Sequence, residues 1–153
     1  MGVGTIVWKM NDYIISTDTS LLDIVVIHRF ISEESYWGKG RSRELVVKSM
    51  HNSACCFGVY HERNGEPKQI GFARVVSDLT TFAYIADVFI LNEYRGKGLG
   101  KWLLRTIVNH PEIKGLKRVT LFTKTPVFYE KVMFKIFDQN FQSKFMELKN
   151  PSI

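Results

Sequence analysis

The stretch from Asp87 to Trp102, Asp-Val-Phe-Ile-Leu-Asn-Glu-Tyr-Arg-Gly-Lys-Gly-Leu-Gly-Lys-Trp, limits what this chain can become more than any other. An apolar, strand-like run from Val88 to Leu91 enters a short polar loop. A glycine-rich turn follows, and then a helix-like pattern. Strand, glycine loop and helix N-terminus in that order build a phosphate cradle. Glycine lets the main chain come close to an anion. The N–H groups of the first helical turn point at it, and the helix dipole favours negative charge there. Arg95, Lys97 and Lys101 add positive charge at the same place. Two common cradles are excluded. A Walker loop needs a glycine five residues before Gly96-Lys97 and Ser or Thr after the lysine, and those positions hold Leu91 and Gly98. A dinucleotide fingerprint starting at Gly96 needs glycine at position 101, which is Lys101.

What remains, Arg95-x-x-Gly98-x-Gly100 after a strand, resembles the acyl-coenzyme A signature of the GCN5-related N-acetyltransferases. The order of elements along the chain is similar to that family as well. A strand candidate at Thr5 to Lys9 is followed by Ile14 and Ile15, which continue an edge strand or lie against the core. The spacing of Ile24, Ile27, His28 and Ile31 predicts a helix over Leu21 to Ile31, capped by Thr19 or Ser20. Ser32 to Arg41, with Tyr36, Trp37, Gly38 and Gly40, reads as a mobile, partly apolar lid or wall, and Arg43 to Asn52 as a second helix. Ala54 to His61 and Lys68 to Ser77 are strands around an Asn64-Gly65 hairpin turn. Thr81 to Leu91 is a longer strand, rich in aromatic and β-branched residues. Gly98 to Asn109 is a helix that stops before Pro111. Lys117 to Thr123 is a strand, and Thr125 caps a short helix from Pro126 to Met133. Phe134 to Phe137 and Ser143 to Leu148 are candidates for the last two strands. The fold class is α/β (α+β): a mixed central β-sheet of six to seven strands flanked by helices, as in the acyl-coenzyme A N-acyltransferase fold. It is expected to form one N-acetyltransferase domain over residues 5–148.

Composition bounds the function without choosing it. The chain has 153 residues, enough for one domain with a buried core, and 45% apolar with 24% charged residues suits a globular protein. No run approaches 18 apolar residues, and the N-terminus has neither a signal-peptide pattern nor a myristoylation signal. Cys55 and Cys56 are adjacent, so on a strand they point to opposite faces and are poor partners for one another. No Cys or His pair has metal-ligand spacing, so no metal is expected and a reducing, cytoplasmic setting is. The net charge of +6 suits nucleic acid or a polyanionic small ligand equally, and it is spread along the chain.

The resemblance implies acetyl-coenzyme A as acyl-donor cosubstrate and a primary amine as acceptor, with direct attack on the thioester through a tetrahedral intermediate. In the family two central strands splay apart, and the pantetheine arm bonds to one of them. Here that implicates Val88, Phe89 and Ile90. The pyrophosphate would lie on Arg95, Gly96, Lys97, Gly98, Leu99, Gly100 and Lys101. The family often carries Tyr-Glu-x-x-Gly-Phe on the helix after the fifth strand. Tyr129-Glu130-Lys131-Val132-Met133-Phe134 matches it, except that Met133 replaces glycine. Tyr129 is then the acid that protonates the leaving thiolate, or a buried aromatic with a satisfied hydroxyl. Asp87 is out of character in an apolar strand. It takes the amine's proton through water or binds an ammonium group, or it is an ion-pair partner of Arg74 on the neighbouring strand. Tyr36, Trp37, Arg41 and Arg74 are candidates for the acceptor site. The short mixed lid suits a small amine better than a protein. No nucleic acid or membrane partner is expected, and a homodimer is an open alternative to a monomer.

Two other readings compete. Ile70-Gly71-Phe72-Ala73-Arg74-Val75 approaches an RNA-binding strand motif, but Ile70 replaces its basic residue and Arg74 an aromatic. A chain of this fold that binds acyl-coenzyme A as a sensor, without turnover, fits the altered Thr125-Pro126 turn and Met133.

Overall fold

The computed structural model describes residues 3–137, 140 and 144–151. The chain divides into two compact units, Met1–Phe122 and Thr123–Ile153.

The first unit is built on one six-stranded mixed sheet whose strands lie in chain order. β1 (Val7–Met10) and β2 (Tyr13–Ser16) form an edge hairpin that turns at Asn11, φ 52°. Ile14 and Ile15 therefore belong to a strand of their own. β3 (Cys55–Arg63) and β4 (Glu66–Ser77) turn at Asn64-Gly65, where both residues have positive φ, as the Asn-Gly signal requires. β5 (Phe82–Ile90) continues the antiparallel run, and β6 (Arg118–Thr120) lies parallel to it. A parallel neighbour needs a crossover. It is supplied by α3 (Leu99–Val108), whose Leu99, Leu103, Leu104 and Ile107 are buried. Burying those four side chains is worth roughly 6–12 kcal/mol before entropy is subtracted.

The helix expected over Leu21 to Ile31 starts later. Asp23, not Thr19 or Ser20, caps α1 (Ile24–Arg29), because its carboxylate accepts the N–H groups of Val25 and Val26. The Asp23 N–H is itself fixed by Gln69 Oε1 at 2.6 Å, a bond from β4 that no local pattern reveals. The helix widens into a π-helical turn, Phe30–Glu34. α2 (Arg43–His51) follows, with Ser42 accepting from Leu45 N–H. Ile27, Phe30, Ile31 and Val46 of this segment pack with Cys56, Phe72 and Phe89 on one face of the sheet. Phe57, next to Cys56 and so on the other face, meets His110 just past α3.

The second unit holds α4 (Pro126–Glu130), with proline in its first turn as expected. The Thr125 hydroxyl does not cap it; Thr123 Oγ1 instead accepts the Thr125 N–H at 2.9 Å. The Phe134 to Phe137 segment is irregular, not a strand, and so are residues 145–148. Ser143 lies outside the described residues. A strand needs a neighbour to pair with, and among the described residues neither segment joins the sheet; Phe134 and Phe137 instead make ring contacts with Tyr129 and Phe145. The sheet accordingly has six strands, the lower of the expected numbers.

Candidate active site

Two features of β5 make the site. The first is its far edge. β6 pairs with β5 only from Phe82 opposite Arg118 to Tyr84 opposite Thr120. Beyond Tyr84, β5 runs on without β6. The Leu91 N–H bonds to the Ile70 carbonyl on β4, so alternation turns the main-chain groups of Val88 and Ile90 to the other, open edge. The Ile90 carbonyl on that edge accepts Arg95 Nε at 3.1 Å. Arg95 thus does more than add charge: it ties the start of the glycine loop to the end of the strand.

The loop continues the open edge. Gly96 and Gly98 have φ of 78° and 79°, and a Cβ at either would meet no protein atom within 4 Å. Glycine is required there by conformation, not by crowding. Gly98 is the N-cap of α3 with no side-chain cap bond, and the first bond within the helix runs from Trp102 N–H to the Gly98 carbonyl. The N–H groups of Leu99, Gly100 and Lys101 come before it and point out of the helix end. Leu99 is buried and anchors the turn, while Lys97 is exposed. Tyr94, which the sequence did not single out, braces the loop: its hydroxyl meets His61 Nδ1 at 3.1 Å, and the His61 ring stacks on Tyr13 at 4.7 Å. The open strand edge, the left-handed glycines and the unbonded helix donors suit an extended ligand ending in a pyrophosphate. Residues 88–90 and 95–101 are therefore able to hold coenzyme A.

The second feature is a bulge. Arg74 faces Ala86 and Phe72 faces Phe89, so β5 carries one residue more than β4 between these pairs. The bulge falls at Asp87, with φ 54°, a conformation aspartate tolerates better than most residues. It turns the carboxylate to the α1/α2 face. Arg74 Nε donates to Oδ2 at 2.7 Å, Arg41 Nη1 to both oxygens at 3.1 Å, and Trp37 Nε1 to Oδ1 at 2.8 Å. The Asp87 side chain is 2% exposed, Arg41 24% and Arg74 15%. The ion pair with Arg74 is thus present and is joined by two further partners. Four residues separated by up to 50 positions, Trp37, Arg41, Arg74 and Asp87, meet at one point.

The Ser32 to Arg41 segment is a wall held by its own main chain. Ser35 Oγ donates to the Ile31 carbonyl and accepts the Gly38 N–H, and Gly40 N–H bonds to the Ser32 carbonyl. His28 Nε2 lies 3.0 Å from the Arg41 carbonyl. Tyr36 meets Trp37 edge-on at 5.1 Å, and both rings are exposed. Tyr84, at the last rung before β6 stops, belongs to the same neighbourhood. Burial raises its phenol pKa; Arg74 opposes that, and Asp87 and Tyr36 add to it. Its ring meets Phe122 at 5.9 Å. Tyr84 shares a sheet face with Arg74 by strand alternation, a signal the sequence does hold. The bulge at Asp87 has no such signal.

Tyr129 lies on α4 in the second unit, half-buried, with its ring edge-on to Phe128 at 5.1 Å and Phe134 at 6.0 Å. Met133 takes the glycine-like conformation, φ 75°, that its place in the pattern demands. Its N–H bonds to the Glu130 carbonyl and the Phe134 N–H to the Tyr129 carbonyl, the pair that closes a helix through a left-handed residue. Cys55 and Cys56 are free and buried, and burial pushes their thiols up to about 12 and about 11. Among the described residues, no cluster of His, Cys, Asp or Glu would hold a metal, and no helix is long and apolar enough to cross a membrane.

Comparison with known proteins agrees with this geometry. Residues 52–136, more than half of the chain, match the acetyltransferase (GNAT) domain model. A Gibberella zeae protein designated an acetyltransferase is 32% identical over 133 residues, spanning 76% of this chain and 74% of that one. The crystal structure of a Xanthomonas campestris protein designated a GNAT-family acetyltransferase superposes with a TM-score of 0.82. It is 38% identical and covers 95% of this chain and 98% of its own. A Clostridium acetobutylicum protein designated an acetyltransferase, crystallised with acetyl-coenzyme A, shares the fold at a TM-score of 0.61. It is 16% identical, and the match covers 95% of each chain.

Proposed function

The chain belongs to the GCN5-related N-acetyltransferase family, and from that premise we propose that it moves an acetyl group from acetyl-coenzyme A to the primary amine of a small molecule. The observation that carries the proposal is the open edge of β5 leading into the left-handed glycines and free donors at the start of α3. Residues 5–148 act together as one acetyltransferase domain. The buried free thiols suit a reducing compartment such as the cytoplasm.

The donor supplies an acyl thioester; the chain does the rest. Main-chain groups of Val88 and Ile90 hold the arm, and those of Gly96 to Lys101 hold the pyrophosphate. With the phosphates at that end and the arm running back along the strand, the acyl end comes to the bulge at Asp87. There the amine attacks the carbonyl carbon, a C–N bond forms and the C–S bond breaks. The amine must arrive neutral, and its extra proton leaves to water. By the family's Tyr-Glu-x-x-Gly-Phe pattern, Tyr129 is the proposed donor of the proton that the departing sulfur takes, and its phenolate regains a proton from water. Asp87 holds the wall, because each of its oxygens already accepts N–H groups from Trp37, Arg41 or Arg74.

A screen of small amines with acetyl-coenzyme A, following thiol release, tests the proposal. Amine-dependent release with acetylated product is the expected result. Tight coenzyme A binding with no transfer to any amine would replace it with a sensor role.

A further inference from the structure

The proposed transfer leaves the chemistry of the acceptor open, and the cluster at Asp87 speaks to it. We propose that the acceptor amine also carries a carboxylate, as an amino acid does, and that Arg41 and Arg74 bind that carboxylate beside the aromatic wall of Tyr36, Trp37 and Tyr84. This rests on the transfer reading above.

The cluster has charge to spare. Two guanidinium groups share one carboxylate, so the cluster carries one net positive charge. Among the described residues, no second carboxylate lies within ion-pair distance of either arginine. Both arginines are mostly buried, where an uncompensated charge is costly unless a partner arrives.

It also has donors to spare. A guanidinium has five N–H groups in a planar fork. Arg41 gives Asp87 only Nη1, and Arg74 gives it only Nε, with Nη1 at a long 3.4 Å from Ser53 Oγ. The Nη2 group of each arginine has no acceptor among the described residues. Asp87 therefore holds the two forks in place while leaving donors of both for another anion. A carboxylate fits such a fork with two parallel bonds, which a hydroxyl or an amide does not.

Arg74 sits opposite Ala86 on β4, one residue from the bulge where β5 has left β6. Exposed Tyr36 and Trp37 and half-buried Tyr84 offer flat apolar surface next to the charge. The same positive charge discourages an ammonium ion and favours the neutral amine, which is the nucleophilic form. It also disfavours acceptors with cationic neighbours, such as lysine-rich peptide tails.

The test uses the full chain, saturating acetyl-coenzyme A and matched acceptors: phenylalanine, phenylalaninamide and phenethylamine, with the leucine series beside them. Efficiencies are compared per neutral amine, because removing the carboxylate also changes the amine's pKa. The free acids should exceed both uncharged partners by roughly 10- to 100-fold, the worth of one or two charge-assisted hydrogen bonds. Arg41→Gln and Arg74→Gln should erase the ratio, and Arg41→Lys should keep part of it. Coenzyme A affinity of each variant reports whether it is folded, and the wild-type ratio decides the matter where a variant is not. Equal or better use of the amides and plain amines by the wild type, or transfer to none of the free acids, overturns this proposal and leaves acyl transfer standing. Absence of coenzyme A binding and of thiol release with every amine would take both down.

Discussion

At the scale of the residue, the molecule turns on Asp87. Its carboxylate is buried under two guanidinium groups and an indole N–H. Asp87→Asn keeps the shape and the left-handed conformation but leaves Arg41 and Arg74 facing one another. Removing one partner of a buried ion pair costs several kcal/mol, and both arginines keep some solvent, so the loss in urea unfolding should be about 2–3 kcal/mol. A loss below about 0.5 kcal/mol would mean these contacts behave like surface pairs. Aspartate in an apolar strand told that this residue has a partner, and Arg74 was legible as one candidate. Arg41 and Trp37 were not, because their arrival depends on a bulge and on a wall folded from residues about 50 positions away. Tyr129 is the other single residue at stake. If its hydroxyl protonates the thiolate, Tyr129→Phe lowers kcat and kcat/KM together by about 10²-fold, near the low end for general acids because water replaces the donor. Coenzyme A affinity and melting temperature then hold. A tyrosine with only a packing role gives the reverse: unchanged turnover and a lower melting temperature.

At the scale of the element, the clearest tension is the end of α4. Met133 fills a left-handed position that glycine fills at little cost, and the residue is 84% exposed, so it contributes little packing in return. Left-handed backbone costs a non-glycine residue about 1–2 kcal/mol, and glycine gives back about 0.5–1 kcal/mol in unfolded-state freedom. Met133→Gly should therefore stabilise by about 0.5–1 kcal/mol in denaturant unfolding, and destabilisation would show that Met133 is not in that conformation. The sequence showed the anomaly because a glycine-shaped position held a methionine. Elements with strong local signals were equally legible: the Asn64-Gly65 hairpin, the apolar face of α3, the stop before Pro111. Those set by distant partners were not. α1 is capped by Asp23, whose N–H is fixed by Gln69 of β4, and the segments at 134–137 and 145–148 look apolar enough for strands yet do not take a strand conformation.

At the scale of the whole molecule, one buried histidine gives stability a pH dependence. His110 Nδ1 accepts the Glu112 N–H, so the proton of the neutral ring is on Nε2, which has no hydrogen-bond partner among the described residues and lies among the rings of Trp8 and Phe57. Burial lowers the pKa from its ordinary 6.5, with Glu112 opposing. The unfolded chain then binds the proton more readily than the folded one. The stability from this site is complete above about pH 6.5 and is lost as pH falls from there toward the folded value. His110→Leu should flatten that part of a stability profile; an unchanged slope would assign it to other groups. The sheet order, the crossover helix and the glycine loop were readable because they follow chain order, whereas the Asp87 cluster is assembled from three separate segments, the 32–41 wall, β4 and β5. The proposed donor binding depends on main-chain groups at the start of α3. The direct measurement is calorimetric titration of acetyl-coenzyme A into the wild type, Gly98→Val and Gly100→Val, with folding of each checked by circular dichroism. Binding by the wild type that weakens by about tenfold or more in both folded variants, a loss of at least about 1.4 kcal/mol, is the expected outcome. Equal affinity in all three, or none in the wild type, would contradict it.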